Sequence, residues 1–254
     1  INQVKSLISN DLLNLSFIEK DVSLIMSLPG LWSEDSYMQM STYKLSNILK
    51  NHKEISISFE KSFFNFITSS MGFINRKFLL DFISSFLSLS SDNISKEVYQ
   101  LILKNFKVYY PSEQFVLNSR FGIKNASCLF FKRYNYENCK FISQILRQYE
   151  HKAPGDLNSR IPHYKLMLVN FENNEINDNS LIYLGSHNLT TAAWGRIEKS
   201  NNQLMIYNYE LGIIIPPKKD SSISKQKIFN DLGVVLGDKL FTRSDTPYLS
   251  SDFK

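Results

Sequence analysis

Three apolar runs of strand length crowd the last third of the chain: Lys165–Phe171, Leu181–Gly185 and Glu210–Ile215. Runs this apolar have little polar face to turn to water, so they predict strands of a mostly buried sheet. The first is preceded by Pro162-His163-Tyr164, and the second runs into Ser186-His187-Asn188-Leu189-Thr190. A sheet of such strands must be covered by helices, and helical patterns are present upstream.

Val22–Leu28 is an apolar-rich run ended by Pro29-Gly30, a buried strand and its turn. Thr42–Lys50 predicts a short amphipathic helix. Ile55–Phe59 alternates strictly and predicts a strand, with another over Phe63–Thr68 and a small-residue turn over Ser69–Gly72. Phe78–Leu89 and Glu97–Leu103 have helical spacing. Lys107–Tyr110 is a strand stopped by Pro111, after which Ser112 caps a helix with Glu113 in its first turn. Asn138–Tyr149 predicts an amphipathic helix, His151–Ile161 a loop, Glu172–Ser180 a polar excursion between strands, and Thr190–Trp194 a short helix. The segment after Lys218 is polar and hard to place. Alternating strands and helices give the fold class: α/β, a mixed, mostly buried β-sheet flanked by helices. With 254 residues and 43% hydrophobic content the expectation is one domain over residues 1–254 with a poorly defined tail at 218–254. Ile1 in place of methionine reads as a piece of a longer protein.

Two cysteines, Cys128 and Cys139, make neither a disulfide framework nor a zinc site, and a reducing compartment is expected. There is no signal peptide at the start and no apolar run long enough to span a bilayer, so a soluble intracellular protein away from membranes is expected. The net charge of +5 is modest, but its distribution is uneven. From Arg120 to Lys165 nine basic residues, Arg133 and Lys140 among them, face only three acidic ones. That stretch is either a solvated basic face or a seat for a polyanion.

His163 and Lys165 are two apart, so on a strand their side chains share one side. An imidazole can give and take a proton near neutrality, and an ammonium can neutralise a phosphate oxygen. A lone histidine is more often structural, and a strand lysine more often faces solvent; their pairing is what raises both. Asn188 offers N–H donors without charge, and Ser186 and Thr190 flank it where strand gives way to helix. The plain alternative is helix capping. His187 intervenes and is expected to point the other way. Glu210 heads an apolar strand, where a carboxylate is costly unless paired; a partner histidine would suit it.

These residues resemble a known pattern. His163-x-Lys165 matches the H-x-K-x4-D signature of the phospholipase D superfamily, except that Asn170 stands at the aspartate position. Ser186-x-Asn188-Leu189-Thr190-x-Ala192-Ala193-Trp194-Gly195 and Gln203–Gly212 resemble the asparagine block and the following block of the tyrosyl-DNA phosphodiesterase family. Thr68–Gly72 resembles that family's serine-rich DNA-contacting loop. The resemblance is to the C-terminal half of the family's two-domain enzyme and implies a phospholipase D-like α-β-α sandwich. It implies a DNA-repair hydrolase that removes 3′-phosphotyrosyl, topoisomerase-type adducts, in exonuclease fashion, from blocked DNA ends. The nucleophilic histidine would come from an N-terminal half absent here, or from a second copy. His163 would act as general acid and base, Lys165 and Asn188 would hold phosphate oxygens, and Glu210 would orient the nucleophile. Ser69, Ser70, Ser186, Thr190, Arg133 and Lys140 would bind substrate or DNA. No metal or other cofactor is expected, because a phenol with pKa of about 10 leaves readily. The implied partners are 3′-blocked DNA, a topoisomerase-derived peptide and the other half, in the nucleus. A non-catalytic nucleic-acid-binding module and a lipid-directed phospholipase D relative are the other readings.

Overall fold

In the computed structural model, residues 22–53, 55–90, 94–152, 160–198, 202–217 and 224–250 are described. In chain order the strands are β1 (Ser23–Ser27), β2 (Gly30–Trp32), β3 (Ser62–Ile67), β4 (Ser70–Met71), β5 (Phe106–Tyr110), β6 (Phe130–Phe131) and β7 (Leu146–Gln148). They continue with β8 (Glu150–His151), β9 (Lys165–Phe171), β10 (Leu181–Gly185), β11 (Arg196–Glu198), β12 (Gln203–Ile206), β13 (Glu210–Ile215) and β14 (Val234–Val235). The helices are α1 (Glu34–Tyr37), α2 (Ser41–Lys50), α3 (Arg76–Leu87), α4 (Lys96–Asn105), α5 (Glu113–Leu117), α6 (Arg133–Asn138), α7 (Ile142–Ile145), α8 (Thr191–Trp194) and α9 (Lys225–Leu232).

The main sheet has seven strands in the order β1-β13-β10-β9-β3-β5-β7. β3, β5 and β7 run parallel, and the other neighbours pair antiparallel. β9 is central, and all seven of its residues are buried. Its alternate side chains serve two cores, as the two-residue strand period requires. Met167, Val169 and Phe171 pack with α2, α3, α4 and α8 on one face. Leu166 and Leu168 pack with Phe229 of α9 and Phe115 of α5 on the other. The mixed α/β sandwich expected from the sequence is therefore what forms.

Phe82 anchors the larger core. Its ring meets Phe66, Phe78, Phe86, Phe106 and Trp194 at centroid distances of 5.3–6.4 Å. The helix that carries it is capped by Asn75, whose side chain accepts from the Phe78 N–H at 2.8 Å.

Three local expectations are corrected. Ile55–Phe59 forms no strand. Its alternation fixes which side chains turn inward, and Ile55 is buried, but β3 already has β9 and β5 on its two edges. Asn138–Tyr149 is not one helix: Ile142–Ile145 makes a single turn, and Leu146–Gln148 joins β5 as the edge strand. The Ser69–Gly72 turn contains β4, which pairs parallel with β6. Residues 153–159 of the expected loop lie outside the described residues.

The described part of the tail covers a sheet edge. Gln148 of β7 donates from its backbone to Lys239 O at 2.8 Å and from its amide to Leu240 O at 2.9 Å. Asp238 pairs with Lys107 and lies 3.6 Å from Arg147. An uncovered edge strand is a template for aggregation, and this strap occupies it. Among the described residues no helix is long and apolar enough to cross a membrane, and both cysteines are free.

Phe82→Ala is expected to cost about 3–5 kcal/mol of unfolding free energy, because five aromatic neighbours cannot collapse onto a methyl group. Urea denaturation checks this; a loss near zero would mean that the aromatic cluster is not the centre of the core.

Candidate active site

Five chain segments end at one margin of the main sheet: β1 at Ser27, β3 at Ile67, β9 at Lys165, β10 at Gly185 and β13 at Glu210. The register aligns them, with Lys165 opposite Gly185, Gly185 opposite Gly212, and Glu210 opposite Ser27. Residues far apart in sequence therefore meet here.

Lys165 is only 3% exposed. Its Nζ donates to the His163 carbonyl at 2.6 Å, using one of three donors. Burial pushes its pKa below the usual lysine value, while the nearby Glu210 carboxylate and Cys128 thiol push the other way. The ammonium is thus poorly hydrated. His163 sits in the extended segment just before β9, not on the strand, and is exposed. Desolvation of its ring, and secondly the Lys165 cation, lower its pKa. Both effects favour the neutral ring. Glu210 is half-buried and accepts from the Asn208 amide at 3.0 Å.

Asn188 is placed by the turn that follows β3. Its Oδ1 lies 3.1 Å from the Thr68 hydroxyl and 3.3 Å from the Ser69 hydroxyl. Thr68 has one proton, and Ser70 O also lies 2.7 Å away, so Ser69 is the donor that Asn188 does not share. With Oδ1 so engaged, the amide N–H groups are the end of Asn188 available to an anion. The Thr68 Oγ1 further accepts from the Leu189 N–H at 3.4 Å, tying the two turns together.

The intervening His187 points inward, as expected, and is fully buried. The Tyr183 hydroxyl accepts from the His187 N–H at 3.0 Å and lies 2.6 Å from Nδ1. Its own proton therefore goes to Nδ1, which leaves the ring proton on Nε2, 2.9 Å from Ser27 Oγ. Trp194 covers the ring at a centroid distance of 4.4 Å. The Tyr183 ring reaches this position by lying across two glycines. A Cβ on Gly185 would come 2.2 Å from the Tyr183 oxygen, and one on Gly212 2.3 Å from its ring. Both positions need glycine for that clearance.

The remaining expected residues are spread out. Ser69 is buried against Asn188 and acts by positioning it, while Ser70 is half-buried. The Ser186 hydroxyl accepts from Leu211 N–H at 3.0 Å, fastening the turn to β13. Thr190 caps α8 by accepting from Ala193 N–H at 3.1 Å. Arg133 is exposed and 3.7 Å from Glu137. Lys140 is exposed. Asn170, at the aspartate position of the signature, lies toward the far end of β9, fully buried, where it accepts from Ser180 Oγ at 2.7 Å. Sequence reasoning missed Tyr183 and Ser27, and it placed Thr68 only in the serine-rich loop, not as a partner of Asn188. The two strand glycines carry a signal for Tyr183, since glycine inside a strand marks a close approach. Among the described residues no group of three or more His, Cys, Asp or Glu is placed to hold a metal.

Burial pushes the His187 pKa down to about 3. In the unfolded chain it returns to about 6.5. Between these values the unfolded state binds a proton that the folded state refuses. The stabilisation is thus complete above about pH 6.5 and lost as pH falls toward the folded value, at up to about 1.4 kcal/mol per pH unit. Urea titrations from neutral to acid pH are expected to show this one-proton slope in the parent chain and to lack it in His187→Gln. An equal slope in both would show that His187 is not held neutral.

A family model described as tyrosyl-DNA phosphodiesterase matches residues 2–247. Tyrosyl-DNA phosphodiesterase 1 of Arabidopsis thaliana is 27% identical over 216 residues, 81% of this chain and 33% of that protein. The Drosophila melanogaster protein of the same name is 31% identical over 119 residues, 44% of this chain and 20% of that protein. The yeast tyrosyl-DNA phosphodiesterase crystal structure superposes with a TM-score of 0.60 at 15% identity, over 91% of this chain and 57% of that one. The chain thus spans about a third of the Arabidopsis relative and just over half of the yeast structure.

Proposed function

The chain belongs to the tyrosyl-DNA phosphodiesterase family, and we propose that it is the C-terminal half of a DNA-repair phosphodiesterase that frees DNA 3′ ends from phosphotyrosyl adducts. The observation that carries this reading is the meeting of His163, Lys165, Asn188 and Glu210 at one sheet margin. A buried ammonium and a carboxamide fixed by its oxygen suit a phosphodiester anion. An imidazole beside them suits proton transfer to its leaving group.

The nucleophilic histidine is supplied from outside these 254 residues. It attacks phosphorus, the bond from phosphorus to the tyrosine oxygen breaks, and His163 protonates that oxygen. Binding of the phosphate prepares His163 for this step, because the anion offsets the Lys165 charge and raises the imidazole pKa. Water then attacks the phosphohistidine, with His163 taking the water's proton, and leaves a 3′-phosphate on the DNA. Lys165 and Asn188 hold the non-bridging oxygens throughout, and Glu210 orients the incoming histidine. In this reading the exposed Leu24, Met26 and Leu211 of β1 and β13, with Met26 opposite Leu211, offer the other half an apolar face. In this reading the enzyme works in the nucleus.

The chain alone is expected to release no tyrosine from a 3′-phosphotyrosyl oligonucleotide. Joined to a half that carries the nucleophile, it is expected to turn over, and His163→Ala to slow turnover by about 10²–10⁴-fold. Turnover by the purified 254-residue monomer would contradict the half-site reading.

A further inference from the structure

The residue between His163 and Lys165 has no part in the mechanism above. Residues 161–164 join no ladder among the described residues, so the backbone that carries His163 is not fixed by a strand partner. Tyr164 continues the face of Leu166 and Leu168 into the smaller core, and alternation sends His163 the other way. Inside that core the Tyr164 hydroxyl lies 2.7 Å from the hydroxyl of Tyr149. Burial raises the pKa of both phenols, so both keep their protons at neutral pH and one donates to the other. Tyr149 is itself firmly held. It is buried just after β7, and its backbone N–H donates to Tyr110 O at 2.9 Å. Phe115 meets its ring edge-on at 5.4 Å, and the His151 ring stacks on it at 6.0 Å. His151 is fixed in turn, since its Nε2–H donates to Leu232 O at 2.8 Å. On the opposite side of the chain, the His163 carbonyl is gripped by Lys165 Nζ.

Packing alone does not call for this pair. Two phenylalanines would fill the same space in an apolar core and would avoid the cost of burying two hydroxyls. What the oxygens add is direction. A hydrogen bond fixes a separation and an angle, where apolar contact lets neighbouring rings slide. The segment that gains this direction is the one that carries His163.

We propose that Tyr149 and Tyr164 are positioning residues, whose hydroxyl pair ties the His163 segment to the β5–β7 side of the sheet and keeps the imidazole in reach of a phosphate held by Lys165 and Asn188. The proposal rests on the phosphodiesterase reading and deepens it. Neither tyrosine touches the substrate; both act through His163. A general acid gains its rate from being held at the right distance, and a ring on an untied segment would spend much of its time out of line.

The test uses the double variant Tyr149→Phe, Tyr164→Phe. Its thermal melting is expected close to the parent's, because no hydroxyl is left without a partner. In the enzyme assembled from both halves, kcat for a 3′-phosphotyrosyl oligonucleotide is expected to fall about tenfold with KM unchanged, since Lys165 and Asn188 still hold the phosphate. In the 254-residue chain alone, NMR is expected to find the His163 ring titrating nearer the ordinary histidine value than in the parent, because a loosened ring is better hydrated and farther from the Lys165 cation. Tyr164→Phe alone gives a second reading of both quantities, at a temperature where melting shows it folded. The parent's kcat, or the parent's His163 titration, in a folded variant would overturn the positioning role and leave the phosphodiesterase reading standing. No turnover by the parent enzyme assembled from both halves would overturn both.

Discussion

A cation held out of water at the head of the central strand governs this molecule. Lys165 opens β9, the middle strand of the main sheet, with its side chain buried and, among the described residues, the His163 carbonyl as the acceptor bonded to it. A buried charge is tolerated when other charges face it. Glu210 supplies part of that field from β13. In the proposed function an arriving phosphate supplies the rest.

Fixing the anion's other contacts falls to a second layer. Asn188 lies on a turn, and turns do not hold a side chain still by themselves. Here the turn after β3 grips its oxygen through Thr68 and Ser69, while His187 drives the Asn188 turn's inner side into the core. The glycines at 185 and 212 clear the floor so that Tyr183 can lie down and reach that histidine. The face of this short turn that carries Asn188 and the packed face that carries His187 are thus set by neighbouring residues with opposite tasks.

Much of this was legible in the sequence because it is local. Apolar runs placed β9, β10 and β13 to within a residue, and Ser112 and Thr190 marked helix starts that both prove to be capped. What failed was pairing. Ile55–Phe59 has strand alternation but no edge to join, and Leu146–Gln148 leaves a helical pattern because β5 has one open. The site divides the same way. His163, Lys165 and Asn188 carry their chemistry in their own side chains. Thr68 is bound to Asn188 across 120 positions, and Ser27 to His187 across 160. Hydroxyls at such separations carry no periodic signal, and register alone brings them in. The tail shows the limit from the other side: its polar composition hides the fact that its backbone carbonyls are what the edge strand needs.

The claim on which the rest turns is that His163 and Lys165 share one oxyanion pocket. NMR titration of the His163 ring, without and with saturating thymidine 3′-phosphate, tests it most directly. The account predicts a pKa below the ordinary histidine value in the free chain, rising once the bound phosphate offsets the lysine. A ring that titrates identically in both states, with the nucleotide shown to be bound, would contradict it.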